Sequence, residues 1–407
     1  MPTETQKLAI EYKQTEIGVI PEDWNVKELR EIADFTNGKA HENFISDHGD
    51  YIVVNSKFIS SEGEVAKYSN ESFVPTKKDS ILMVMSDVPN GRAIAKCFLV
   101  DKDNAYTVNQ RICSLRAKID PQFLFYKLDR NPFYLGFDDG VKQTNLRKDD
   151  VLDCKLSIPN DKQEQSAIAE AISDANSLIK KLGKLIEKKK NIKQGATQEL
   201  LTGKRRLPGF KSEWKTAKLG DCFTLSATYS KTKFINDGGN FLIMDMGSVS
   251  SVGKMIASKR TFSTTDLLET GDLVMPKDDI GGGNIIGKVA YIDQNNKYIL
   301  GDHVYKLAAK DSNVSTLFFA YLINSHVVNS ELKKKVSGSA QLGLGRKSVE
   351  EQDVKIPKDK DEQTAIANVL SDMDAEIKKL ESQFFKYQNI KQGMMQTLLT
   401  GKIRLNI

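Results

Sequence analysis

Residues 158–207 read IPNDKQEQSAIAEAISDANSLIKKLGKLIEKKKNIKQGATQELLTGKRRL, and residues 356–405 read IPKDKDEQTAIANVLSDMDAEIKKLESQFFKYQNIKQGMMQTLLTGKIRL. Ile158 returns as Ile356, 198 positions on, and well over half of the aligned positions are identical without a gap. NIKQG (Asn191 to Gly195, Asn389 to Gly393) and LLTGK (Leu200 to Lys204, Leu398 to Lys402) repeat verbatim. Self-similarity at this period marks a duplicated architecture. Each copy reads as one long helix. Asp161 and Asp359 sit at N-cap positions, Glu164 and Glu362 three residues on complete a capping-box pattern, and Gly203 and Gly401 stand where a helix stops. Ile168, Ile172, Ala175, Ile179, Leu182 and Ile186 alternate spacings of four and three. Ile366, Leu370, Met373, Ile377, Leu380 and Phe384 do the same in register, which is a heptad seam. A helix of ~40 residues spans about 60 Å and wants a partner along its length. The expected partner is its own repeat, antiparallel because a whole domain lies between the two helices. Packing of each helix on its neighbouring domain is the plainer alternative. The run Lys188, Lys189, Lys190 and Lys193 could touch DNA, but a charge run is usually a solvated helix face.

Working outward, the chain of 407 residues is too long for one core. It divides as 1–157, a first domain; 158–207, a first spacer helix; 208–355, a second domain; and 356–407, a second spacer helix. The two domains keep a faint correspondence. Trp24 in IPEDWNVKEL matches Trp214 in FKSEWKTAKL, and Ala93 to Leu115 aligns with Ile285 to Leu307. Short β-rich runs, Tyr51 to Val54, Ser80 to Met85, Phe241 to Met244 and Asp272 to Met275, are punctuated by Gly, Asn, Asp and Pro. Helical stretches follow at Pro121 to Asp129 and Ser315 to Ser325. The expected fold is therefore α+β: two β-rich domains separated by two long helices.

Composition bounds the function. With 40% hydrophobic and 28% charged residues and no apolar run approaching ~20 residues, the chain reads as soluble and cytoplasmic, with no secretory signal and no membrane contact. Cys97, Cys113, Cys154 and Cys222 are widely spaced without a C-x-x-C pair, so they are expected to be reduced core thiols. A net charge of +5 is mild. Two scaffolds with different loops, held apart by twin helices, suit a two-part DNA target, because the major groove displays a distinct donor and acceptor pattern for every base pair. Candidate readers are amide and basic residues in turns: Asn37, Lys39, Asn90, Arg92, Asn109, Gln110, Arg111, Gln143, Thr144, Asn145 and Arg147 in the first domain. In the second domain they are Lys231, Lys277, Asn284, His303, Gln341, Arg346 and Lys347.

Catalytic patterns are weak. Asn131 to Tyr134 reads NPFY, short of the [DN]-P-P-[FY] loop of an adenine methyltransferase, and is expected to be a helix-ending turn. Gly282 to Lys288, GGNIIGK, has phosphate-loop spacing, but Val289 follows where Ser or Thr belongs, and VAYI continues as a strand. The histidines His41, His48, His303 and His326 form no ligand spacing. Neither a metal nor a catalytic residue is expected. A coiled-coil scaffold that binds only proteins is the rival from another class.

The segments IP…EQxxIA, Ile158 to Ala169 and Ile356 to Ala367, each leading into a heptad helix that closes in LLTGKxRL, resemble the repeated regions of type I restriction-modification specificity subunits. IGVIPEDW, QTNLRKDDVLDCKLSIP and LGLGRKSVEEQDVKIP are also similar to that family, over the whole chain. Many members carry prolines between IP and EQ, where this chain has NDKQ and KDKD. The resemblance implies two target-recognition domains, each reading one half of a bipartite asymmetric DNA site. It implies conserved helices paired as an antiparallel coiled coil with pseudo-twofold, quasi-cyclic symmetry, TGKIRL leading toward IGVIPEDW. The separation of the readers is then near one turn of ~34 Å. It further implies two methyltransferase subunits docked on the helices, with Glu164, Gln165, Gly203, Glu362, Gln363 and Gly401 as partner-binding candidates, and ATP-dependent restriction subunits. S-adenosylmethionine, ATP and Mg are expected on those partners and no cofactor on this chain.

Overall fold

Both repeats fold as single helices, Lys162–Leu201 and Lys360–Leu398. Asp161 accepts from Gln163 N at 2.8 Å and Asp359 from Asp361 N at 2.9 Å, so the expected N-caps hold. Gly203 and Gly401, with φ of +71° and +70°, end the helices in the left-handed region. In the computed structural model, residues 11–88, 92–280, 282–338 and 342–405 are described. The chain forms two units, one of Met1–Leu182 with Gln383–Ile407 and one of Gly183–Ser382. Each helix thus contributes one part to each unit.

Within the second unit the helix parts run antiparallel. Lys193 pairs with Asp374 at 2.6 Å and Lys189 with Glu376 at 2.7 Å, one number falling as the other rises, and Lys190 meets Glu381 at 2.7 Å. In the first unit the same sense is set by Lys391 on Asn176 at 2.7 Å and Arg404 on Glu164 at 2.6 Å. The heptad seam faces inward: Ile168, Ile172, Ile366 and Leu370 are fully buried. Three lysines of the basic run are therefore committed to acidic residues of the other helix.

The domain parts share one plan. In the first unit a sheet runs in the order Cys97–Leu99, Ser80–Val84, Ile112–Ala117, Ala33–Asn37, and in the second Phe223–Ser226, Val304–Ala309, Leu273–Pro276, Ala290–Tyr291, the same order from the other end. A second sheet holds a parallel pair, Tyr51–Val54 with Tyr106–Val108 and Phe241–Met244 with Tyr298–Leu300. The expected helices appear as Pro121–Leu128 and Thr316–Asn324. Trp24–Glu28 pairs with Lys155–Pro159, and Trp214–Lys218 with Asp353–Pro357, tying the start of each domain to the strand that enters a long helix. Leu156, Ile158, Ile168, Ile172 and Leu398 share one apolar core with the first sheet, so burial of the helix faces and of the sheet is a single event. All four cysteines are buried free thiols. Among the described residues no helix is long and apolar enough to cross a membrane.

Candidate nucleic-acid interface

In the first unit the loops after Ala33–Asn37 and before Ile112–Ala117 meet at one end of the sheet. Lys39 N donates to Val108 O at 2.9 Å and Asn37 lies opposite Cys113. Asn109, Gln110 and Arg111 line a groove of about 580 Å³ with His41, Glu42, Ile45, Val53, Asn55, Ser56, Lys57 and Lys67. Gln110 donates to Glu42 at 2.6 Å, which orients its amide along the groove wall. A second short ribbon, Ser86–Asp87 with Thr144–Asn145, joins the same end, since Met85 N donates to Arg111 O at 2.9 Å and Leu146 N to Met85 O at 2.7 Å. On it Gln143 donates to Ser86 at 2.8 Å, and the Ser86 hydroxyl donates to Asn145 at 2.7 Å.

The second unit repeats this joint bond for bond. Lys277 N donates to His303 O at 3.0 Å and Leu344 N to Lys277 O at 2.7 Å, so His303 takes the place of Arg111. His303 is held with φ +60°, and its Nδ1 lies 2.7 Å from Asp278 Oδ2. Below both readers an aspartate ties back the neighbouring loop: Asp87 accepts from Ala93 N at 2.6 Å and Asp279 from Ile285 N at 2.9 Å. Arg92 and Asn284, the residues just before, are exposed on these loops. Asn90 and Gln341 lie outside the described residues.

Several candidates are placed elsewhere. Thr144 is buried and its hydroxyl donates to Asp138 at 3.0 Å. Lys231 is 1% exposed, its ammonium 2.6 Å from Asp266 and 3.8 Å above the Tyr229 ring, so it supports the turn Thr232–Phe234 as the buried His41 supports Glu42–Phe44. The Arg147 amide caps on Asp150 at 2.7 Å while the residue itself is exposed. Arg346 pairs with Glu350 at 2.7 Å and lines a separate depression with Lys218 and Lys310; Lys347 is exposed beside Glu351. Lys57, in the short helix Ser56–Ser60, and Lys67, just before Tyr68–Ser69, carry no periodic signature in the sequence. Only the strand register brings them to the groove.

Four of the six partner-binding candidates have buried side chains. Glu164, Gln165, Glu362 and Gln363 are all 3% exposed or less. Gln165 accepts from Asp120 N at 3.0 Å and donates to Pro159 O at 2.8 Å; Gln363 accepts from Ser315 N at 3.0 Å and donates to Pro357 O at 3.0 Å. The glutamates receive arginines from LLTGKxRL: Arg404 on Glu164, and Arg206 on Glu362 at 2.7 Å. Their carboxylates are taken by these arginines, not by the reciprocal capping bond expected from the spacing. Burial holds the Glu164 carboxyl above the usual range, opposed by Arg404, and Arg404 holds Asp23 below it. A Cβ on Gly401 would stand 2.4 Å from Pro21 Cγ, and one on Gly203 3.3 Å from the Trp214 ring. Glu164, Gln165, Glu362 and Gln363 are thus engaged inside their own units, Gly401 is buried against Pro21, and Gly203 is half-buried beside Trp214.

Neither weak catalytic pattern builds a site. Asn131 ends the helix Pro121–Leu128 by donating to Lys127 O at 2.8 Å and starts Pro132–Leu135 by accepting from Phe133 N, while the Tyr134 hydroxyl donates to Val151 O. The GGNIIGK loop runs into the strand Ala290–Tyr291, and Lys288 donates to Asn324 O at 2.8 Å. Among the described residues no group of His, Cys, Asp and Glu is placed to hold a metal ion.

Two β-rich domains with corresponding reader loops and paired helices define a tandem DNA-specificity architecture. The family model for the type I restriction modification DNA specificity domain matches residues 21–193 and again 211–384, and the chain belongs to that family. It is a specificity subunit with two recognition domains. The putative type I restriction enzyme MjaX specificity subunit of Methanocaldococcus jannaschii is 23% identical over 97% of both chains. The MjaVIII specificity subunit of the same organism is 29% identical over 48% of this chain and 49% of its own. The type I restriction-modification S subunit from M. genitalium has the same fold, with a TM-score of 0.63 at 16% identity over 98% of this chain and 100% of its own.

Proposed function

We propose that each domain reads one half of a bipartite asymmetric DNA site and that the chain directs methylation and restriction without performing either. The observation that carries this reading is the joint at which Arg111 and His303 stand: the same backbone bonds present an arginine in one unit and a histidine in the other. One scaffold with two different reading side chains is what unequal half-sites require. Arg111 suits the paired acceptors of guanine, and Asn109 and Gln110 suit adenine. Exposed Lys39, Arg92, Arg147 and Lys347 supply phosphate contacts that position the duplex.

Two methyltransferase subunits dock on the helices, and restriction subunits complete the assembly; S-adenosylmethionine, ATP and Mg act on those partners. Because the EQ side chains of both copies are buried, the docking surface is placed on NIKQG. Ile192 and Ile390 are 48% and 41% exposed, and a Cβ at Gly195 or Gly393 would meet nothing within 4 Å. A mid-helix glycine weakens a helix, so two glycines without internal crowding suit close approach of a partner's backbone.

Coexpression with the cognate methyltransferase, followed by single-molecule sequencing of methylated adenines, tests the reading. A split motif with one methylated adenine in each half is expected. Absent methylation, or one contiguous motif, would overturn it.

A further inference from the structure

Hydrogen bonds align the two units residue by residue around the groove. Val53 N donates to Lys67 O at 2.8 Å, and Ile243 N donates to Lys259 O at 2.9 Å. The parallel strand pairs are in the same register, Val54 opposite Val108 and Met244 opposite Leu300. Asn55 therefore corresponds to Asp245, Lys57 to Gly247 and Lys67 to Lys259. Both residues at the first position cap a short turn: Asn55 accepts from Phe58 N at 2.9 Å, and Asp245 accepts from the Ser248 hydroxyl at 3.0 Å.

The caps share a shape and differ in charge. Asp245 Oδ2 lies 2.5 Å from Lys259 Nζ, and this carboxylate side chain is only 13% exposed. Asn55 offers no charge to Lys67. Among the described residues neither Lys57 nor Lys67 has an ion-pair partner; both are exposed and line the groove beside Arg111. The one acid in that lining, Glu42, is bonded to Gln110. At the corresponding places the second unit has Asp302 for Gln110 and His303 for Arg111, and its lysine is already committed. Among the described residues the first unit leaves Lys57 and Lys67 without an acidic partner, and the second pairs the lysine corresponding to Lys67 with Asp245.

We infer that the groove formed by Asn55, Lys57 and Lys67 is a cradle for the phosphodiester backbone of duplex DNA that the second domain lacks, its Asp245 having silenced Lys259. This rests on the reading that the domains bind DNA. The first domain then supplies more of the sequence-independent grip. The second depends more on contacts to base edges.

Because the cradle is indifferent to sequence, the full chain and a random-sequence duplex suffice. Affinity by fluorescence anisotropy across a range of KCl gives the slope of log K against log salt, which changes by about one for each phosphate that the protein neutralises. Asn55→Asp is expected to lower the slope by about one without removing any lysine, matching Lys67→Ala. Asp245→Asn is expected to raise it by about one, an increase that misfolding does not produce, and Lys259→Ala is expected to leave it unchanged. Thermal melting confirms that each variant is folded. If wild type shows a normal slope and folded Asn55→Asp and Asp245→Asn proteins both retain it, or if the two lysine variants lower it equally, the cradle is wrong while DNA binding stands. Wild type that shows no salt-dependent binding overturns the underlying reading and the cradle together.

Discussion

Arg206 Nη2 stands 2.7 Å from Glu362 Oε2, joining the tail of the first long helix to the buried first turn of the second. Glu362 is fully buried, and the Arg206 guanidinium also donates to Ser212 O at 2.9 Å and lies 5.9 Å from the Trp214 ring. Removing one partner of such a pair strands a charge away from water, at a cost of about 3–5 kcal/mol. Arg206→Met is expected to lower the urea midpoint sharply. Adding Glu362→Met is expected to recover part of the loss, because no orphaned carboxylate then remains. A double variant that loses the sum of both single effects would show that the two side chains do not act as a pair.

Gly401→Ala and Gly203→Ala should differ in size. Both glycines occupy the left-handed region, where an added Cβ costs about 1–2 kcal/mol. At Gly203 the nearest atoms are those of the Trp214 ring at 3.3 Å, which a small shift accommodates. At Gly401 the new Cβ would stand 2.4 Å from Pro21 Cγ and 2.6 Å from Pro21 Cδ, so the segment that carries Trp24 must move. The Gly401 variant is expected to melt lower than the Gly203 variant, and equal melting temperatures would contradict the packing described.

These contacts join residues too far apart in the chain for any local pattern to report them. The helices, their caps and strands such as Tyr51–Val54 and Phe241–Met244 were legible because periodicity and β-branched runs report local burial directly. At Glu164 the local pattern is ambiguous, because a capping box and a distant ion pair share it. The partner of Glu164, Arg404, lies 240 residues away. Lys231 and Thr144 are candidate readers by polar type alone, and the structure buries both. Their burial follows from Asp266 and Asp138, and no local spacing announces such partners. The correspondence of Arg111 with His303 was visible in the alignment, but its meaning needed the bonds to Met85 and Lys277.

Gly195 and Gly393 give a test with two opposed readouts. A Cβ at either meets nothing within 4 Å, so replacement by alanine is expected to stabilise the chain by about 0.5–1 kcal/mol per site. If a methyltransferase backbone approaches these glycines, the same variants should copurify with less methyltransferase and methylate less. Stabilisation with undiminished copurification would move the docking surface away from NIKQG.

Lys127 should give the stability curve an alkaline slope. Its ammonium donates to Ser157 at 2.9 Å and to Leu399 O at 2.9 Å, yet burial lowers its pKa from the ordinary 10.5 to about 8. Between pH 8 and pH 10.5 the unfolded chain therefore holds a proton on this lysine that the folded chain has released. Stability rises with pH wherever the unfolded state binds more protons, so the burial penalty on this ammonium is progressively relieved across that window. Below pH 8 both states are protonated and the group adds no slope. Lys127→Met also removes two hydrogen bonds, so the comparison must be of slopes and not of stabilities. Urea midpoints measured from pH 7.5 to pH 10 are expected to rise less steeply, or fall more steeply, in the methionine variant than in wild type. Parallel curves would place the lysine in a wetter setting than its contacts with Ser157 and Leu399 describe.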